Sequence, residues 1–312
     1  MNVLVLGGDG FLGSHLVDQA LAQGYEVTVF DRFVDGRLRN LEHVKHQIQC
    51  IPGDFTNTKS LRAALVGQDV VYHFITVTNP TKTWNHPEQE IQHTLQPALQ
   101  FYQLAAEAGV KKIVFPSSGG TVYGPKLWLV NEEVLPDPFS PHGIVKLCAE
   151  HFLRYARGRW GISADIYRIG NAYGPRQPLI SSQGVIAVWM RQILEGDCLQ
   201  VFGDKKTIRD YVYVEDVARL MLWSLELMNT SETFNIGTGR GVSIFELLDI
   251  FKKSIDRPIR YKILPRRHCD SQFVVLESTR ILSHFPGFKF KRIEDMIPIT
   301  WNYVIKQYRR TS

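Results

Sequence analysis

The stretch NVLVLGGDGFLGSHLVDQALAQG, residues 2–24, decides the fold of this chain. Its first residues, NVLVL, form a short apolar run, which is typical of a strand buried in a parallel sheet. The residues FLGSHLVDQALAQG (11–24) repeat apolar positions at helical spacing and end at a glycine, which predicts a helix. Gly7, Gly10 and Gly13 lie where the two meet, and glycines permit a tight turn and a close approach of the backbone to a bound group.

Short apolar runs and longer amphipathic runs alternate through the first half of the chain. The strand-like runs are EVTVFD (26–31), HQIQCIPGD (46–54), VVYHF (70–74), KKIVFPSS (111–118) and ISADIYRIGN (162–171). Helical patterns cover TKSLRAALVG (58–67), HTLQPALQFYQLAAEAG (93–109), where Pro97 is expected to kink the helix, and the segment around Lys146. This βαβα order predicts an α/β fold with a Rossmann-type, doubly wound parallel sheet.

The alternation becomes less regular after residue 175. The segments VIAVWMRQILEG and VEDVARLMLWSLELM are helical in pattern, and LQVFG, DYVYV and ETFNIG resemble short strands. We therefore predict a Rossmann domain over residues 1–175 and a smaller C-terminal α/β substrate lobe over residues 176–312, with some elements returning to the main sheet. No low-complexity linker separates the two parts, so the cleft between them is the expected site.

The composition excludes several classes of protein. Of 312 residues, 44% are hydrophobic and 21% are charged, which is ordinary for a soluble globular protein. The net charge of +5 is spread along the chain, so it does not indicate a nucleic-acid partner. The four cysteines form no C-x-x-C pair and the histidines show no metal spacing, so no metal is expected. Neither a signal peptide nor a membrane-spanning run is recognised, so we expect a cytoplasmic protein with no membrane partner.

The glycine motif points to a dinucleotide, because it follows a strand and opens a helix. The helix N-terminus then favours a pyrophosphate. Asp31 ends the second strand, where a carboxylate accepts from the adenosine ribose hydroxyls and repels a 2′-phosphate. NAD is therefore expected rather than NADP, although Arg32 weakens this discrimination a little. Asp54, at the end of the third strand, is a candidate acceptor for the adenine amino group, with an ordinary turn aspartate as the alternative.

Further motifs follow in order: GDFTN, SSGGTVYG, H-x-x-x-K, RIGNAYGPRQ, VFGDKKTIRDYVYVEDVA and RHCD. With them the chain resembles the extended short-chain dehydrogenase/reductase family, and most closely its nucleotide-sugar epimerases of the UDP-glucose 4-epimerase type. The resemblance runs from residue 1 to about residue 300. It implies a UDP-hexose whose C4 is epimerised through a 4-keto intermediate while NAD stays bound. It also implies a homodimer formed through residues 86–109 and 141–158.

The resemblance implies which residues bind the cofactor and the substrate. The cofactor contacts are Gly7, Gly10, Phe11, Leu12, Gly13, Asp31, Arg32, Asp54, Phe55, Phe74, Ile75, Thr76 and Lys146. The substrate contacts are Asn171 and the guanidinium groups of Arg209 and Arg267 for the diphosphate, Asp270 for a ribose hydroxyl, and Val201 with Phe202 for the nucleobase. Guanidinium matches phosphate oxygens as a bidentate fork. A surface ion pair is the alternative for each arginine, and Tyr123 and Tyr173 are expected in the core or the wall.

The chain departs from the family pattern in its catalytic residues. His142 stands where the family has a tyrosine base, although Lys146 matches the lysine four residues later. The serine or threonine that bonds the sugar O4 aligns with Gly119, and Thr121 is the candidate replacement; Thr94 stands where a helix asparagine is common. A neutral imidazole accepts a proton near physiological pH, so His142, Lys146 and Thr121 are the predicted catalytic residues.

Two hypotheses therefore follow. In the first, the chain is an NAD-dependent UDP-hexose 4-epimerase with an altered base. In the second, it is a catalytically impaired protein that binds NAD and a nucleotide sugar, or another short-chain dehydrogenase that modifies nucleotide sugars. The related dehydratases carry Asp-Glu and the decarboxylases carry Glu where this chain has Gly120-Thr121, and the reductases prefer NADP. These residues argue against dehydration, decarboxylation and reduction, so epimerisation is the reaction that remains.

Overall fold

The computed structural model describes residues 1–78, 83–126, 128–179, 184–267 and 271–311. Its strands are, in chain order, β1 (Asn2–Leu6), β2 (Glu26–Asp31), β3 (Ile48–Pro52), β4 (Val70–His73), β5 (Lys112–Ser118), β6 (Ser163–Ile169), β7 (Asn171–Tyr173), β8 (Leu199–Phe202), β9 (Ile208–Tyr213), β10 (Thr233–Ile236), β11 (Gly241–Ser243), β12 (Tyr261–Leu264) and β13 (Phe273–Val274). Its α-helices span Phe11–Ala22, Thr58–Leu65, Pro87–Glu90, Gln96–Glu107, Gly119–Val122, Pro141–Trp160, Val185–Glu195, Val214–Leu222, Ile244–Ser254, Thr279–Leu282 and Ile293–Thr311. One-turn 3₁₀ segments lie at Val34–Gly36, Glu42–Val44 and Trp223–Leu225, and a π-helical turn at Ile91–Leu95.

The main sheet has seven strands in the order β10-β6-β5-β4-β1-β2-β3, all of them parallel. This confirms the predicted doubly wound sheet. The strand order reverses between β1 and β4, because the chain crosses from one half of the sheet to the other after β3. A crevice opens at the carboxyl ends of the strands at such a switch point, and ligands of open α/β sheets bind there.

Helices cover both faces of this sheet. On one face, the helix Phe11–Ala22 packs Leu16 and Val17 into a core that also holds Val217 and Leu220 of a later helix. On the other face, a second core contains apolar side chains of three helices, among them Leu61, Phe101 and Leu153. The sheet is therefore buried on both sides, which explains why its strands read as continuous apolar runs.

Elements after residue 175 divide between the main sheet and a separate lobe. The helix Val214–Leu222 packs against Phe11–Ala22, and β10 pairs with β6, so these elements contact the main sheet. The lobe has its own core around Trp189, Phe251 and Trp301. In it, β8 pairs with β12, while β9 pairs with β7, β11 and β13. The boundary at residue 175 stays a prediction.

The predicted helix break at Pro97 takes the form of a π-helical turn. Ile91–Leu95 winds as a π-helix, and Pro97 lies in the first turn of the helix Gln96–Glu107 that follows. Proline lacks the N–H of a regular turn, and π-turns occur often at functional sites. Across the described ranges, no helix has the length and apolarity needed to span a membrane.

Candidate functional site

The glycine loop after β1 forms a cradle for a phosphate group. Gly7 adopts φ +77°, a left-handed conformation that favours glycine. A Cβ atom on Gly13 would lie 2.4 Å from the carbonyl oxygen of Gly7, so the loop and the helix approach too closely for any side chain there. The helix Phe11–Ala22 has no side-chain cap at its N-terminus, and such an N-terminus attracts an anion. These residues fit the pyrophosphate of a dinucleotide.

Asp31 lies beside this loop, as the sequence predicted. Its carboxylate accepts from the backbone N–H of Asp9 at 3.2 Å and of Arg32 at 2.7 Å. Asp54 is exposed and accepts from the backbone N–H and the hydroxyl of Thr56, at 2.8 and 2.6 Å. These two hydrogen bonds lower the pKa of Asp54. Asp54 therefore forms an ordinary aspartate turn, and its contact with adenine stays a prediction.

Asp9, inside the glycine loop, is a residue that the sequence did not single out. Its buried carboxylate accepts from the backbone N–H groups of Arg39, Asn40 and Leu41, at 2.7, 2.8 and 3.2 Å. Burial raises the pKa of Asp9, and those three hydrogen bonds oppose the rise. Asp9 thus fixes the segment after β2 to the loop that cradles the phosphate. Only its position among the glycines could have drawn attention to it.

The other predicted cofactor residues surround the same edge of the sheet. Phe74, Ile75 and Thr76 follow β4 directly, and a Cβ atom on Gly7 would lie 3.2 Å from the backbone nitrogen of Ile75. Phe55 is buried, while Phe11 and Leu12 are half-buried at the start of the first helix. The contact of each side chain with NAD stays a prediction.

The helix Pro141–Trp160 carries His142 and Lys146 one turn apart. It begins at Ser140, whose hydroxyl accepts from the backbone N–H of Gly143 at 3.2 Å. Lys146 is buried; its Nζ donates to the carbonyl of Pro116 at 3.1 Å and lies 4.7 Å from the centre of the Phe115 ring. Burial lowers the pKa of Lys146 to about 8, although the charges of nearby carboxylates oppose this.

His142 contacts a carboxylate that the sequence analysis missed. Its Nδ1 lies 3.3 Å from Oε1 of Glu90, and its side chain keeps 11% of its surface exposed. Glu90 is fully buried and also accepts from the hydroxyl of Thr83 at 2.7 Å and of Thr78 at 2.8 Å. Burial acts to raise the pKa of Glu90, but the hydrogen bond and charge of His142 and the two threonines lower it to about 2.

Glu90 gave no sequence signal because it lies in the polar stretch HPEQEIQ, 52 residues before its partner. Thr94, noted as a departure from the family, joins the same group. Its hydroxyl lies 3.1 Å from that of Thr78. The π-helical turn and the start of the helix Pro141–Trp160 therefore meet at one polar cluster.

Thr121 and Gly119 lie in the short helix Gly119–Val122, which the start of the His142 helix touches. A Cβ atom on Gly143 would lie 2.5 Å from the carbonyl oxygen of Thr121. The Thr121 hydroxyl is buried and has no hydrogen-bond partner among the residues that the structure describes. A buried hydroxyl without a partner is costly, so a bound polar group is the natural acceptor or donor for it. A Cβ atom on Gly119 would lie 2.5 Å from Cδ1 of Leu276, which fills the space beside it.

The predicted substrate residues have different surroundings. Asn171 is half-buried at the start of β7, with Oδ1 3.7 Å from the Cβ position of Gly120. Arg209 donates to the carbonyls of Ser271, Gln272 and Ile208, at 2.5, 3.3 and 2.9 Å. The guanidinium of Arg209 thereby holds the two residues before β13 against β9. Its role in binding a diphosphate stays a prediction.

The residues predicted to contact the nucleobase differ in how much of their side chains is accessible. The Arg267 guanidinium lies 4.8 Å from the centre of the Phe202 ring. Val201 is fully buried in the core of the lobe, so its side chain has no surface for a nucleobase, and only its backbone remains for that contact. Asp270 lies outside the described residues. Tyr123 and Tyr173 are buried, as expected for core residues.

Two further predictions concern the surface and metal ions. Ile144, Phe152 and Tyr155 are exposed on the helix Pro141–Trp160, which belongs to the expected dimer face, and the homodimer stays a prediction. Within the described ranges, no three histidine, cysteine, aspartate or glutamate side chains group as a metal site would require.

The glycine loop after β1, Asp31 and the helix that carries Lys146 together define an enzyme of the dinucleotide-binding α/β class. A family model described as the NAD dependent epimerase/dehydratase family matches residues 3–237. The chain belongs to this family, and NAD is its cofactor.

Individual relatives agree with the family match. The UDP-glucose 4-epimerase of Mycolicibacterium smegmatis is 30% identical over 287 residues, which cover 90% of this chain and 91% of that protein. The structure of a UDP-glucose 4-epimerase with UDP-glucose from Thermotoga maritima has TM-score 0.88 and 31% identity, with 99% of this chain and 100% of that chain covered. A UDP-glucuronic acid 4-epimerase from Bacillus cereus, in complex with UDP-glucuronic acid and NAD, has TM-score 0.90, 26% identity and the same coverage. The resemblance and the fold class inferred from the sequence are confirmed.

Proposed function

We propose that this protein is a UDP-hexose 4-epimerase in which His142 is the acid–base residue. One observation carries the proposal: the Nδ1 of His142 lies 3.3 Å from Oε1 of the buried Glu90. Lys146 follows His142 one turn later on the same helix. A carboxylate only accepts, so Nδ1 holds the proton and Nε2 of the neutral ring is left as a proton acceptor. This contact supports a general base at position 142, where the family resemblance implies a tyrosine.

In the proposed reaction, Nε2 of His142 takes the proton of the sugar C4 hydroxyl. Held by the glycine loop and Lys146, NAD would supply the reversible hydride chemistry at C4 that the other half of the reaction needs. His142 returns its proton to O4 in the second half, so no net redox change remains. The unpartnered hydroxyl of Thr121 is proposed to bond O4, and Lys146 to bind the cofactor.

The substrate class is supported by the relatives, which act on or bind UDP-glucose and UDP-glucuronic acid. Asn171, Arg209 and Arg267 are the proposed contacts of the diphosphate. Water elimination and decarboxylation are disfavoured, because Gly120 and Thr121 provide no acid where the related enzymes have one. UDP-glucose and UDP-glucuronic acid are therefore the first substrates to test, together with UDP-N-acetylglucosamine.

The experiment compares wild type with His142→Ala in an assay for the C4 epimer of each UDP-sugar. Loss of a positioned acid–base group should lower kcat by about 10²–10⁴-fold while the bound NAD content stays unchanged. His93→Ala, at an exposed histidine of the π-helical turn, is the matched control. Wild type that binds UDP-sugars and NAD but never turns over would instead establish the impaired binding protein. Equal activity of His142→Ala and wild type would assign the base to another group.

A further inference from the structure

We infer that Glu90 is a positioning residue for His142, whose buried carboxylate holds Nδ1–H and keeps Nε2 ready to accept the substrate proton. The inference rests on the proposed function, in which His142 is the base. Glu90 does not touch the reacting atoms in this view; it acts through the imidazole. The evidence is the way in which three donors converge on this one carboxylate.

Burying a carboxylate without partners costs several kcal/mol or more, so a fully buried glutamate needs compensation. Glu90 obtains it from Thr83 and His142 on Oε1 and from Thr78 on Oε2. The two hydroxyls fix the carboxylate, since each oxygen has a threonine donor. His142 then meets an acceptor with a set position, which restrains the rotation of its ring.

The local backbone supports this arrangement. Glu90 ends the helix Pro87–Glu90, and the π-helical turn Ile91–Leu95 begins at the next residue. That turn carries Thr94, whose hydroxyl meets Thr78 at 3.1 Å. A series of side-chain hydrogen bonds therefore connects Thr94 through Thr78 and Glu90 to His142. The described part of the chain provides no other hydrogen-bond partner for the imidazole.

Charge explains why Glu90 suits a histidine and would not suit a tyrosine. A tyrosine base must lose its proton first, and a nearby carboxylate repels the phenolate that results. A histidine base begins neutral and becomes a cation, which the carboxylate stabilises. Lys146 is buried one turn away, and its positive charge opposes the imidazolium, so a compensating negative charge is needed. Glu90 and His142 thus form a functional pair.

The test is a double-mutant cycle of Glu90→Gln and His142→Tyr, read as kcat for C4 epimerisation. With His142 in place, Glu90→Gln should lower kcat by about 10- to 1,000-fold with KM and bound NAD little changed, because the negative charge that stabilises the imidazolium is lost. With Tyr at position 142, the same substitution should leave kcat unchanged or raise it. An equal loss in both backgrounds would overturn the inference and leave Glu90 a structural residue.

The controls separate positioning from folding. Glu88→Gln makes the same change on the same helical turn at an exposed site and should leave kcat unchanged. Glu90→Asp keeps the charge and should recover part of the loss. Thermal unfolding of each variant shows whether it folds.

A second readout does not need turnover. Nitrogen NMR of the imidazole should show the proton on Nδ1 in wild type, and this preference should be lost in Glu90→Leu, which removes the acceptor. If wild type never epimerises a UDP-sugar, the proposed function fails while this spectrum still reports whether Glu90 holds His142. A wild-type ring protonated only on Nε2 would overturn the inference by itself.

Discussion

The side chain of Leu276 occupies the space beside Gly119, the position at which the family resemblance implies a serine or threonine. Leu276 is fully buried in a small core with Val122, Tyr123 and Val130. Apolar packing therefore fills the space that a side chain at position 119 would need. The orphan hydroxyl of Thr121, two residues later, is left to serve a bound polar group.

Gly119→Ser should not restore the family pattern and should instead destabilise the fold. The new Cβ would lie 2.5 Å from Cδ1 of Leu276, and overpacking of this kind costs about 1–3 kcal/mol. Gly120→Ser is the matched control, since its Cβ meets no atom closer than 3.7 Å. Denaturant unfolding of both variants measures the difference. Equal stabilities would show that Leu276 moves aside freely.

The sequence predicted those site residues that belong to a local pattern. Gly13 and Asp31 follow from the order of strand, turn and helix, and Lys146 from its spacing to His142. Glu90 and Asp9 could not be found in this way, because His142 lies 52 residues from Glu90, and the segment that the Asp9 carboxylate holds begins 30 residues from Asp9. Such contacts depend on how the elements pack, and a single sequence has no periodicity that records them.

At the scale of elements, two helical glycines illustrate opposite constraints. Gly13 lies where the first helix touches its own loop, with 2.4 Å from a Cβ atom to the Gly7 carbonyl oxygen. Gly158 is exposed near the end of the helix Pro141–Trp160, and a Cβ atom there would meet nothing within 4 Å. The first glycine is required by a close backbone approach, and the second is not.

Gly13→Ala should therefore abolish the tight binding of NAD and lower the stability by about 1–3 kcal/mol. Gly158→Ala should raise the stability by about 0.5–1 kcal/mol, because alanine loses less entropy in a helix. Thermal unfolding and the NAD content after purification measure both effects. Full NAD content in Gly13→Ala would contradict the close approach at the cradle.

The elements themselves were largely predictable, because buried strands and amphipathic helices have distinct patterns. The π-helical turn before Pro97 was anticipated only as a kink, since proline shows that a helix is disturbed but not how it rewinds. The sequence suggested that some C-terminal elements return to the main sheet, but it did not indicate that β10 is one of them. Its short run TFNI resembles the strands of the lobe, and its partner β6 is set by tertiary packing.

At the scale of the whole molecule, Lys146 should influence the pH dependence of stability. Folding lowers its pKa from 10.5 to about 8, chiefly through burial. Between these two values the unfolded chain binds more protons than the folded one, so this lysine makes stability rise with pH across that window. A shift of this size corresponds to about 3 kcal/mol.

Lys146→Met removes this contribution. The free energy of unfolding of the variant, relative to wild type, should fall by about 3 kcal/mol as the pH rises from 8 to 10.5. The comparison uses urea unfolding at several pH values and does not depend on the absolute stability of the variant. A difference that stays constant across the window would show that Lys146 is not desolvated in the folded protein.

The return of β10 and of the helix Val214–Leu222 to the main sheet has a consequence for biosynthesis. While residues 1–175 leave the ribosome, β6 has an unpaired edge and the first helix an uncovered apolar flank. The nascent protein cannot close the core that packs against the first helix until residue 281 has emerged, because Phe234, Ile236 and Ile281 all belong to that core. Fragments truncated before that point should be targets for chaperones and should aggregate when expressed alone.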